Sequence, residues 1–161
     1  VPYAARADAP ASEAAPVVPS CAGPETDVGV EFDDKENPML QKSPMYAYLP
    51  AKDVGRARRF YEEKLGFRPK LETAGGVVYE FASGTACFLY PTPNAGTSSA
   101  SQAFWQVADV EHEVAELRAK GVVFEQYDFP GMKDGIATGG GAKSAWFKDT
   151  EGNILAIVQS I

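Results

Sequence analysis

From residue 45 to the end of the chain, apolar and polar positions follow an order that occurs twice. Residues 45–49 are a short strand candidate, with Pro50, which has no N–H to give to a ladder, as its expected end. Asp53 then stands at a helix-cap position, where its carboxylate can accept a free first-turn amide. Val54, Ala57, Tyr61 and Leu65 recur at three- and four-residue spacing, which predicts an amphipathic helix stopped by Gly66. Three strand-like runs follow at 69–73, 77–81 and 86–90, separated by the turn pairs Gly75-Gly76 and Ser83-Gly84. The order then starts again. Residues 102–107 predict a strand, and Asp109 caps a helix carrying Val110, Val114 and Leu117, which Gly121 ends. Further strands are expected over 122–127, 144–148 and 154–159. The two capping aspartates lie 56 residues apart and the two stopping glycines 55, the signature of a duplicated unit. Two such sheets placed edge to edge make a curved surface, covered by helices on one side and open on the other.

Composition changes the picture mainly before residue 45. Residues 1–44 carry eight acidic and three basic side chains, −5 of the chain's net −7, with seven of its twelve prolines. They predict an extended, acidic, Pro/Ala-rich N-terminal arm. Two readings of the arm stay open: a tail or targeting-peptide remnant, or a segment ordered by lying on a partner, with Val28, Val30 and Phe32 as one added strand. The acidic balance argues against nucleic-acid partners held by phosphate contacts and against anionic membranes. No apolar run reaches the length of a membrane-spanning helix. The compartment stays open between the cytoplasm and, after removal of a targeting peptide, an organelle or exported space. Cys21 and Cys87 match no zinc pattern, and whether they pair cannot be judged from spacing.

Asp53-Val54, Arg59-Phe60-Tyr61 and Leu65-Gly66-Phe67 together resemble the first helix of the vicinal oxygen chelate superfamily. Trp146-Phe147-Lys148-Asp149 and Glu151-Gly152-Asn153-Ile154-Leu155 resemble its terminal hairpin. That superfamily includes glyoxalase I, ring-cleaving dioxygenases, fosfomycin-resistance enzymes and bleomycin-binding proteins. The resemblance implies an α+β fold of two tandem βαβββ modules, about 45–97 and 98–161, forming a cup-shaped sheet within a domain at 45–161. It also implies four metal-donor positions in the cup. Here these are Tyr46, Gln102, a place near Phe88 with Tyr90 on the same face, and Ala156. Divalent metals need imidazole or carboxylate donors, and this set offers one amide oxygen and a protonated phenol. No metal and no cofactor is therefore expected.

Strand alternation predicts the lining of the cup. Tyr46 goes with Tyr48, Phe88 with Tyr90, and Gln102 with Phe104 and Gln106; Ser144, Trp146 and Lys148 share a face, and Ala156 closes the list. Rings with a few convergent polar groups suit a small aromatic or cationic organic ligand, although such a lining can also collapse into packed core. Three functions follow. The first is a metal-independent small-molecule binding protein, for which the resemblance implies a homodimer, since relatives of this size often pair. The second is a structural or accessory subunit attached to a larger assembly through residues 1–44. The third is a lyase or isomerase with atypical metal ligands. Residues 131–143 hold five glycines and read as a long hairpin connection or a lid, and the Gly139–Ser144 run leads into a strand rather than a phosphate-binding helix. Glu80 and Glu125 are the strand carboxylates with unassigned facing; His112 lies on the second helix, away from the cup.

Overall fold

The computed structural model describes residue 40 and residues 43–161. The expected arm and Cys21 lie outside the described residues.

Residues 46–91 form a four-stranded sheet. Its strands are β1 (Tyr46–Ala51), β2 (Pro69–Thr73), β3 (Gly76–Glu80) and β4 (Ala86–Pro91), in the order β1-β4-β3-β2 with β1 parallel to β4. Helix α1 (Val54–Arg59) follows β1, capped by Asp53, which accepts the Arg56 N–H at 2.9 Å. The predicted helix does not stay regular to Gly66. From Phe60 to Lys64 the turn widens, and Leu65 donates to the Phe60 carbonyl five residues back. The widened turn brings Phe60 onto Phe147 at 6.3 Å and stacks Tyr61 on Phe67 at 5.6 Å. Strand β1 also runs through Pro50 to Ala51, past its expected end. Among the described residues its one ladder partner is β4, so Pro50 stands on an edge strand, where a missing N–H is tolerated.

The second sheet has five strands: β5 (Ser101–Gln106), β6 (Met132–Lys133), β7 (Ile136–Gly139), β8 (Ala142–Lys148) and β9 (Ile154–Ser160). Their order is β5-β9-β8-β7-β6, with β5 parallel to β9. Helix α2 (Val110–Ala119) is capped by Asp109, which accepts the His112 N–H at 3.0 Å. The strand expected over 122–127 is replaced by one bridge between Phe124 and Phe147. The reason is competition for one edge: β7 pairs with residues 142–145 of β8, leaving only its far end for Phe124. The glycine-rich stretch is thus the β6–β7 hairpin and its turn into β8, as the hairpin reading expected.

The helix-covered faces of both sheets share one core. Leu49, Val77, Tyr79 and Leu89 meet Phe147, Leu155 and Ile157 around Tyr61 of the first helical segment and Val114 of α2. Trp105 joins them from β5, with ring centroids 5.5 Å from Phe67 and 5.7 Å from Phe81. Strands β1 and β5 lie beside each other, where the two sheets meet.

Candidate functional site

The sheet faces opposite the core carry the candidate site. On the first sheet the register aligns Tyr48 of β1 with Phe88 of β4 and Phe88 with Val78 of β3. Leu49, Cys87 and Leu89 alternate with these residues and are buried, so the rings occupy the open face. Phe88 and Tyr90 stand nearly parallel, 7° apart with centroids at 6.3 Å. Tyr48 meets both edge-on, at 5.8 and 5.0 Å.

The second sheet repeats this arrangement with different residues. Tyr127 and Phe129 lie 16° apart at 6.1 Å, and Trp146 of β8 meets them edge-on at 5.7 and 6.1 Å. In register across this sheet, Phe104, Ala156 and Trp146 form one row. Ala156 is 2% exposed between two large rings, so its small size sets a low floor in the row. The open face has not packed shut: Tyr46 is 47% exposed, Tyr48 52% and Phe104 64%. Tyr127 and Phe129 were not among the residues expected here; their two-residue spacing beyond Glu125 was the available signal. Trp105, by contrast, faces the core.

Polar groups accompany the rings. Lys148 pairs with Glu125 at 3.1 Å, and Glu80, exposed at the end of β3, with Lys70 at 3.5 Å. The β4–β3 and β9–β8 registers give Glu80 and Lys148 corresponding places in the two modules, so the duplicated ion pairs have reversed polarity. Ser144 lies between Ala137 and Val158 in register. The exposed Gln106 amide reaches Ser160 Oγ at 3.5 Å. Gln102 sits where the β5–β9 register breaks, between Ser101 and Ala103.

The terminal-hairpin motif has a structural task of its own. Glu151 accepts the Lys52 and Asp53 backbone N–H groups at 2.8 and 3.1 Å, and the Arg56 guanidinium at 2.7 and 3.0 Å. Burial pushes its carboxyl toward the neutral form, but Arg56 and the two amides outweigh this and hold it below the ordinary carboxylate range. Asn153 donates to Asp149 and to the Pro50 carbonyl, both at 2.7 Å, while the Tyr61 hydroxyl donates to Asp149. Desolvation, with Asp149 beside it, drives the Tyr61 phenol strongly upward, so it stays protonated and donates to Asp149. This clasp ties the start of α1 to the β8–β9 turn.

The remaining chemistry-bearing residues stand apart. Cys87 faces the core and burial lifts its thiol to about 12, so it behaves as a small hydrophobe. His112 is exposed on α2. A shallow depression of about 560 Å³, lined by Lys52, Pro91, Thr92 and Pro93, lies at the ends of β1 and β4. The expected metal positions hold Tyr46, Phe88, Gln102 and Ala156, a donor set that does not fit a divalent ion. Among the described residues, no group of three or more His, Cys, Asp or Glu side chains is placed to hold a metal. No helix among them is long and apolar enough to cross a membrane.

Comparisons with known proteins agree with this architecture. A family profile described as Glyoxalase/Bleomycin resistance protein/Dioxygenase superfamily matches residues 43–157. Among solved structures, TnmS3, an antibiotic binding protein from Streptomyces sp. CB03234, is similar at 21% identity with a TM-score of 0.57, covering 76% of this chain and 99% of its own. Lactoylglutathione lyase from Agrobacterium tumefaciens is similar at 17% identity and 0.54, covering 76% and 96%. A putative glyoxalase family protein from Bacillus anthracis is similar at 14% identity and 0.58, covering 74% and 96%. At these identities the likeness concerns the fold. No curated protein matches the sequence.

Proposed function

The chain belongs to the glyoxalase/bleomycin resistance/dioxygenase superfamily, and on that premise we propose that it is a small-molecule binding protein that works without a metal. The observation that carries this reading is the pair of three-ring clusters on the open faces, Tyr48–Phe88–Tyr90 and Tyr127–Phe129–Trp146. Parallel rings, most of them half-buried, with a third ring edge-on offer π-faces and ring edges to a planar aromatic or aromatic cationic ligand. The antibiotic binding named for TnmS3 supports a ligand of organic type, and the donor-poor set at the four expected metal positions supports binding over lyase chemistry.

Tryptophan fluorescence tests it. Trp146 stands in the ring cluster, whereas Trp105 packs on Phe67 and Phe81 toward the core. Titration with a panel of planar polycyclic aromatics and aromatic cations is expected to quench the protein saturably. Trp105→Phe retains the response and Trp146→Phe loses it. A panel without any saturable binder, or stoichiometric nickel, zinc, iron or manganese in protein purified without chelator, overturns the reading.

A further inference from the structure

We infer that Gln102 orients the bound ligand through its side-chain oxygen, and that the site therefore selects ring compounds carrying an O–H or N–H donor. This rests on the binding reading above. Gln102 Oε1 is buried and has no hydrogen-bond partner among the described residues, where every other buried side-chain nitrogen or oxygen has one. Folded proteins rarely leave a buried acceptor unpaired, because water has been removed from it with nothing in exchange. An acceptor in this condition is completed by whatever next brings a donor to it.

Its place in the fold fits that task. Ser101 pairs with Ile154 and Ala103 with Leu155, so Gln102 is the extra residue of a bulge in β5. Bulges bend a strand and re-aim a side chain, and they recur beside binding sites. Two residues on, Phe104 starts the row that runs over Ala156 to Trp146. The bulge also lies on the strand that adjoins β1, which carries Tyr46 and Tyr48. A single amide oxygen is a poor seat for a metal ion, which needs several stronger donors, but one O–H or N–H satisfies it. The inferred ligand is thus a planar aromatic with a phenolic hydroxyl or a ring N–H.

Equilibrium dialysis at pH 7 with 2-naphthol and its methyl ether, 2-methoxynaphthalene, tests this on the full chain and on Gln102→Leu. The naphthol is expected to bind the variant about tenfold more weakly than the unchanged protein, with the ether binding both alike. The thermal midpoint of the variant should be no lower, since leucine fills the space without a polar atom. Where leucine does not pack, Gln102→Met serves the same comparison. If both probes bind and neither affinity changes, or both fall equally, the inference is overturned while the binding reading stands. If neither probe binds the unchanged protein, the inference is overturned, and the fluorescence panel decides the binding reading.

Discussion

Glu151 lies in a turn, yet its side chain is out of solvent and serves two backbone amides and one guanidinium from residues nearly a hundred positions earlier. Glu151→Gln keeps the shape and removes the charge that Arg56 and the amides complement. We expect the substitution to cost about 2 kcal/mol at pH 7, read from urea denaturation. The folded-state carboxyl is held below its unfolded value. Its contribution is therefore fully present above the unfolded value, near 4.5, and fades as pH falls through the folded one. The gap between the two proteins should narrow from pH 5 to pH 3. An unchanged gap would mean that the charge is not what the turn uses.

Elements explain why much of this architecture was readable in advance and some was not. Capping aspartates, stopping glycines and two-residue alternation are local, so both helices and the open-face placement of Tyr48, Phe88, Phe104 and Trp146 followed from them. The strand expected over 122–127 was lost to β7, a contest for the edge of β8 that no local signal records. The widened turn after Arg59 depends on Phe147 and Asp149, far along the chain. Tyr127 and Phe129 joined the ring cluster only because that lost strand leaves them beside Trp146. The stretch linking the sheets offers a test at this scale. Gly96 has φ 71° and donates to Asn153 Oδ1 at 3.3 Å, and a Cβ there would come 2.2 Å from the Glu151 carbonyl oxygen. Gly140, at φ 60°, has open space around it. Alanine at 140 should cost about 1 kcal/mol, from backbone conformation alone. Alanine at 96 should cost ~3 kcal/mol or more, because the turn backbone must also move. Equal losses in denaturation would show that the linker contact is not tight.

Across the whole molecule, the two modules are completed by each other. Phe60 meets Phe147, Phe67 and Phe81 meet Trp105, and Pro50 takes a hydrogen bond from Asn153. A fragment of residues 45–97 alone leaves these apolar surfaces wet. It is expected to lack near-ultraviolet circular dichroism, and mixing it with a fragment of residues 98–161 should restore the signal. A native-like spectrum from the first fragment by itself would show two independent folding units.

The clasp also has a consequence for how the protein is made. Ribosomes deliver the chain from its N-terminus, and the groups that finish the start of α1 reside at Asp149, Glu151 and Asn153, about a hundred positions later. The nascent first sheet must therefore wait, its aromatic residues unshielded, until residues 149–153 have been made. A translational pause before residue 149 would prolong that wait, and crowded polysomes would expose it to neighbouring chains.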